Sequence, residues 1–380
     1  MIMSIRRSQP LNRIFEFYLP LLILSILPFL NGGESELARV IFLSFVSIYL
    51  LLFLRGRRKL PRWCLPICLV WVVFLFAALI STLFSISLTL SLPAFFELLG
   101  IFLYFFLFLV IVNRPSDLQI FSASVVLVGF ILSLISLFYV FFPPSSLPGI
   151  NLVYASFGHN HLSDYLMFVL PIIVVVFLRQ KKRHLIIFSG LLVVFFFINF
   201  YLTFARAAIF IASLLMLTLV WMYKPPLKKV AFLLFLVFVP SIFILTFLVF
   251  SDTKFGSRIF ETTIHESSWL RRQVIKPYRN DGRLEYWQQA YKGFQLRPLF
   301  GNGPGTFRIT SSRFRSDSNV FSWFTHNSFL QASSEMGFLG LLAFGTLIFL
   351  SFSNISPPRI NSPYAWPLFL GGVGSFVQSV

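Results

Sequence analysis

Arg206, Arg283 and His326 are the side chains whose types best suit chemistry on an anionic group, and each lies near the edge of a hydrophobic run. Arg206 falls in Thr203-Phe204-Ala205-Arg206-Ala207-Ala208, a turn too short for a solvated loop, so its guanidinium belongs at or just below a membrane surface. An arginine there costs about 2–3 kcal/mol on insertion scales unless it is paired or wet. It can grip a phosphate bidentately at the start of a helix whose amides add positive potential, or it can snorkel to lipid headgroups. Arg283 follows Asp281-Gly282 and precedes Leu284-Glu285-Tyr286-Trp287, the opening of an amphipathic helix with Asp281 as its N-cap. In a first turn the helix dipole favours an anion, so a cation there suits an anionic ligand better than it suits the helix. The plainer reading is a solvated surface arginine. His326, next to Asn327 where a hydrophobic run begins, carries a group of ordinary pKa about 6.5 that can take a proton from a hydroxyl or, charged, hold a phosphate oxygen. The alternative is a polar anchor at the interface.

Other polar groups gather near these. Glu335 follows His326 by nine residues, about 14 Å along a helix; it either serves function or pairs with a cation across the bundle. Gly301-Asn302-Gly303-Pro304-Gly305-Thr306-Phe307 has no Lys-Ser/Thr after it, so it is not a nucleotide loop. Its glycines permit positive φ and close backbone approach, which fits a docking turn, with substrate contact through Gly303 and Gly305 as the alternative. His159-Asn160-His161 with Asp164 marks the start of another hydrophobic run, where contact with a ligand headgroup through Asn160 and His161 and plain helix capping stand open together. Two histidines at i, i+2 do not share a helix face, and neither His326 nor His265 has a Cys or His at ligand spacing, so no metal site and no cofactor motif is read. Cys64 and Cys68 read as packing residues.

The elements that must position these groups are membrane helices. The 380 residues are 57% apolar and 12% charged, with 51 Phe, and hydrophobic runs follow one another along the chain. They place an all-α polytopic transmembrane bundle with spans at 14–31, 37–54, 63–84, 94–112, 118–142, 163–178, 184–202, 207–223, 229–250 and 328–353, and a last one from about Trp366 that stops short of a full crossing. The expected count is about 11–12, with that final span read as truncated. Pro20 and Pro28 without a small-residue cleavage site make the first segment a retained helix. The net charge of +18 sorts by topology: the runs at 55–62 and 179–183 and Arg6, Arg7, Arg13, Arg114, Lys228 and Lys229 fall on one side, and loops 31–36 and 85–93 hold no Lys or Arg. That is the positive-inside pattern with a cytoplasmic N-terminus, and it accounts for the basic excess without nucleic acid.

The same alternation puts Ser251 to Thr325 outside, with twelve Lys/Arg against six Asp/Glu. A long loop translocates despite its charge, so these cations need another reason, and an anionic substrate supplies one. The chain divides into helices at 1–250, an extracytoplasmic catalytic loop containing short helices at 251–327, and further helices at 328–380.

In their order, GHNHLSDYL, FARAA, GRLEYW, RPLFGNGPGTF and HNSFLQASSEMG resemble the O-antigen ligase and O-antigen polymerase superfamily of bacterial membrane glycosyltransferases, over about residues 150–345. The resemblance implies an inner-membrane enzyme. It implies an undecaprenyl-pyrophosphate-linked glycan as donor and either a lipid A-core hydroxyl (ligase) or a growing carrier-linked glycan (polymerase) as acceptor. It implies transfer with inversion, independent of metal. Arg206 and Arg283 would stabilise the pyrophosphate leaving group, and His326 would activate the acceptor or assist the pyrophosphate. Asn327, Glu335, Asn160, His161, Gly303, Gly305 and Trp287 would line the substrate site, and Trp269, Tyr286, Trp287 and Trp323 would offer faces to sugars. Family members carry about twelve spans, against ten full spans and a partial one in this sequence. A lipid-linked glycan transporter is the rival from another class, but nearly charge-free spans with polar residues at one face do not fit it.

Overall fold

The computed structural model describes residues 17–29, 40–47, 49, 65–112, 114–141, 159–203, 205–251, 282–316, 320–353 and 362–379. Among them the chain is helical with no strand. The helices are α1 (Leu19–Ile26, continued by a 3-10 turn, Leu27–Phe29), α2 (Leu65–Leu83), α3 (Leu88–Ile111), α4 (Pro115–Phe141), α5 (His159–Arg179), α6 (Arg183–Leu202), α7 (Arg206–Tyr223), α8 (Leu227–Ser251), α9 (Arg283–Leu296), α10 (Phe307–Phe314), α11 (Ser328–Ser353) and α12 (Ala365–Gln378). Six helices among the described residues are long and apolar enough to cross a membrane: α2, α3, α4, α5, α6 and α11. Leu, Phe and Val face outward from them, as a lipid solvent requires.

Helix boundaries follow local chemistry. Pro115 opens α4, where its missing N–H costs nothing, and the Asp117 side chain accepts the Arg114 amide at 3.0 Å. Lys224 ends α7 in a left-handed conformation, φ 43°, just before Pro225-Pro226 stops the helix. Lys229 of α8 donates to the carbonyls of Leu178 (2.8 Å) and Gln180 (2.5 Å), a cation at the open C-terminal end of α5. Two starts differ from the hydropathy reading. α3 begins at Leu88 rather than 94, since the small polar Thr89 and Ser91 enter the helix behind an extended Ser87 at the cap position. α5 begins at His159 rather than 163, which puts His159, Asn160 and His161 in its first turn. The expected first two spans survive in α1 and the helical stretch 40–47; the rest of them lies outside the described residues.

α5 is the axis of the larger core. Leu166, Met167, Val169, Val174 and Phe177 are fully buried on it, against Val193, Phe196 and Phe200 of α6, Ala208 and Leu219 of α7 and Leu370 of α12. Gly371 and Gly374 let α12 close on Phe168 and Met167 of α5, where a Cβ would have too little room. A second cluster joins α2 to α11, with the small Ala77 and Ala78 against Ala332, Met336 and Ala343.

α11 is not the continuous helix its hydropathy announces. Gly337 has φ 65° and ψ −160°, which interrupts the helix. The segment Pro298–Gly303 re-enters at this break and satisfies it: Phe338 N–H donates to the Pro298 carbonyl (2.7 Å) and Leu339 to Leu299 (3.4 Å), while Asn302 N–H donates to Ser334 (3.2 Å) and Gly303 to Glu335 (2.7 Å). Broken backbone at membrane depth persists only when protein takes up its polar groups.

Candidate active site at one end of the bundle

The helix ends that carry the polar motifs meet on one side. α5 and α7 start at the same end, because α6 returns the chain and residues 203–205 turn it again. The end of α12 ties two starts together: Gln378 Nε2 donates to Ser163 Oγ of α5 at 2.8 Å, and Ser379 accepts the Ser328 amide of α11 at 3.0 Å. The α2–α3 corner joins through Ile86 N–H and Ser85 Oγ, which donate to the Asn302 carbonyl at 2.9 and 3.1 Å.

His326 adopts φ 55°, a left-handed backbone rarely taken by residues other than glycine. Its ring is exposed, its centroid 5.8 Å from that of Tyr286, and Nε2 lies 3.4 Å from Ser322 Oγ. The turn is fixed on its far side. Asn327 Oδ1 accepts the amides of Phe329 (3.1 Å) and Leu330 (3.0 Å), so its side chain caps α11. Thr325 Oγ1 donates to the Asn327 carbonyl at 2.7 Å. Gln331 Oε1 accepts the Thr325 amide at 2.8 Å, and its Nε2 donates to Glu335 Oε1 at 2.7 Å. The same Glu335 oxygen accepts the Phe307 amide at 3.0 Å, at the first residue of α10.

Gly303 and Gly305 face protein. A Cβ on Gly303, at φ 108°, would collide with Ser85 and Ser91, and one on Gly305 would lie 3.0 Å from Ala94. Asn302 Nδ2 donates to the carbonyls of Gly293 (2.9 Å) and Ser334 (2.8 Å), pinning the loop between α9 and α11. α9 lies close on both neighbours, since a Cβ on Gly293 would sit 2.6 Å from Ser334 Oγ and from Thr310 Cγ2.

Arg283 is the first residue of α9, with Gly282 at the cap position; the expected cap Asp281 lies outside the described residues. Arg283 is half-buried and stands three residues before Tyr286, so the two share the face that meets His326. Trp287 follows, its indole Nε1 buried with no hydrogen-bond partner among the described residues. Arg206 opens α7 and Asn160 lies in the first turn of α5, while the side chains of both are outside the described residues, so the structure gives no distance from Arg206 to the other two. His161 is exposed and lines a cavity of about 420 Å³ between α1, α4 and α5, together with Asp164 and Tyr165. Among the described residues no group of His, Cys, Asp and Glu has the makings of a metal site.

The geometry therefore joins His326, Tyr286 and the start of α9 directly, and joins Asn327, Gln331, Glu335 and the glycine loop as the frame behind them. Sequence reasoning missed Gln331, Asn302, Ser322 and Thr325. Of these only Gln331 left a sequence signal, a polar residue one helical turn before Glu335. Arg308 stacks over Trp323 at 4.7 Å, so that tryptophan face, taken as a sugar platform, is occupied by a cation.

No curated protein matches the sequence at a significant level. A family model does: residues 191–345 match the model described as O-antigen ligase, a stretch that runs from within α6 to Gly345 of α11 and takes in Arg206, Arg283, the glycine loop and His326. From Leu191 to Gly345, set within an all-helical bundle with helices long and apolar enough to cross a membrane, the chain is similar to the O-antigen ligase family.

Proposed function

We propose that the protein is a ligase-type glycosyltransferase that moves a glycan from undecaprenyl pyrophosphate to a hydroxyl of lipid A-core at the outer face of the bacterial inner membrane. The observation that carries this reading is an exposed imidazole on a strained, heavily braced turn, in ring contact with the helix that Arg283 begins, inside the matched segment.

In this reading the acceptor oxygen forms the new bond to the anomeric carbon as the bond from that carbon to the pyrophosphate oxygen breaks. The bonding pair leaves with the carrier pyrophosphate, and the acceptor proton passes to His326 and then to water. One displacement inverts the anomeric centre. Negative charge grows on the departing oxygen, and Arg283 at the α9 start with Arg206 at the α7 start supplies fixed positive charge where it grows. Two guanidinium groups also match the oxygens of a diphosphate bidentately. Tyr286, against His326, restricts the imidazole and offers a ring to the sugar. The unpartnered Trp287 N–H, at the same helix start, is a donor in search of an oxygen. The catalytic loop 251–327 and the flanking helices then act as three parts of one site.

The test supplies purified protein in lipid nanodiscs with undecaprenyl-pyrophosphate-linked glycan and either lipid A-core or a second carrier-linked glycan. Lipid A-core should gain the glycan with inverted anomeric configuration. Extension of the carrier-linked glycan alone would assign the polymerase reaction instead, and no transfer to either would remove the glycosyltransferase reading.

A further inference from the structure

Glu335 is 7% exposed, and its Oε1 accepts two donors, the Phe307 amide and Gln331 Nε2. Gln331 accepts the Thr325 amide through its other end. The orientation of that amide side chain is dictated, because its carbonyl must face an N–H and its NH2 must face a carboxylate. Only a side chain that both accepts and donates can stand at 331. Thr325 is fully buried and directly precedes His326, so its amide is held in a closed state by Gln331 and loses this acceptor if Gln331 is removed. At the other end, the Glu335 carbonyl accepts from Gly303 N–H and from Ser81 Oγ, both at 2.7 Å. The Glu335 carboxyl oxygen also sits at the first amide of α10, the positive end of that helix.

We propose that Glu335 and Gln331 are positioning residues: a two-side-chain brace that holds the turn of His326 against the glycine loop and α10, and not ligands of the substrate. The brace transmits the position of the broken α11, through these side-chain hydrogen bonds, to the backbone bearing the exposed imidazole. Its catalytic consequence rests on the role given to His326 above; its geometry does not.

Two measurements decide it. Hydrogen–deuterium exchange on the protein in nanodiscs should show the Thr325 amide exchanging at least about tenfold faster in Gln331→Ala and in Glu335→Ala, as expected when a buried amide loses its closed state. Glu335→Gln, which retains an acceptor oxygen, should fall between Glu335→Ala and wild type. Unchanged exchange at Thr325 in Gln331→Ala overturns the brace. The second measurement follows transfer from undecaprenyl-pyrophosphate-linked glycan to lipid A-core. Glu335→Ala should lower kcat on the order of 10- to 100-fold, the scale of a small misplacement of a reacting group, with KM within about twofold of wild type. In a His326→Ala background the same change should cost less than about twofold, since the two act as one unit. An equal loss in both backgrounds, or a rise in KM alone, would make Glu335 a substrate ligand and overturn the proposal. Near-normal transfer by His326→Ala would remove the catalytic role of the histidine, and the exchange result would still decide the brace.

Discussion

A histidine at φ 55° stores backbone strain on the order of 1–3 kcal/mol, and strain of that kind persists only where the surroundings over-determine it. Here Asn327, Thr325 and Gln331 do so. His326→Gly should therefore unfold at a temperature equal to or above that of His326→Ala, because glycine relieves the strain while both lose the ring; a lower melting temperature for the glycine variant would show that the turn is not strained. Arg283→Lys keeps the charge and loses the planar fork, and transfer should fall at least about tenfold if a diphosphate is held bidentately; wild-type kcat/KM in that variant would reduce Arg283 to a point charge. At this scale the sequence announced the residues by type, because an arginine or histidine beside a hydrophobic run is costly and conspicuous. Gln331 was invisible for the opposite reason. Glutamine is ordinary on a helix, and its role arises only from standing one turn above Glu335 and beneath Thr325.

Among the elements, the glycine loop and α11 form one unit. The interruption at Gly337 exposes backbone groups, and Pro298–Gly303 takes them up. Gly303→Ala should destabilise the protein by about 2–4 kcal/mol, combining positive-φ strain with a collision against Ser85 and Ser91. Gly345→Ala, on α11, is the control, since a Cβ there meets nothing within 4 Å, and it should be neutral or stabilising by up to about 1 kcal/mol. Equal melting temperatures for the two variants would contradict the docking of the loop. The spans themselves were legible because a run of apolar residues long enough for lipid has few alternatives. The break was not, because Gly337 lies in an apolar run that reads as unbroken, and the partner that makes the break tolerable comes from a loop more than 30 residues earlier in the chain.

At the scale of the whole molecule, charge and hydrophobicity decide orientation. The basic runs at 55–62 and 179–183 read as cytoplasmic, and the orientation proposed on that ground turns outward the end of the bundle that holds His326 and the starts of α5 and α7. In a background with Cys64 and Cys68 replaced by serine, Trp323→Cys should react with a membrane-impermeant maleimide added outside intact cytoplasmic membranes, and Lys181→Cys only after permeabilisation. The reverse pattern would invert the assigned topology. What no pattern of charge could show was that α12 would close the site's end of the bundle by bonding both α5 and α11, since its short apolar stretch carries no mark of that role. The central claim, that His326 and Arg283 perform glycosyl transfer, is tested most directly by single-turnover transfer from undecaprenyl-pyrophosphate-linked glycan to lipid A-core by wild type, His326→Ala and Arg283→Ala in nanodiscs. The account predicts a loss of about 10²- to 10⁴-fold in each variant with the fold retained, and rates within about twofold of wild type in both would contradict it.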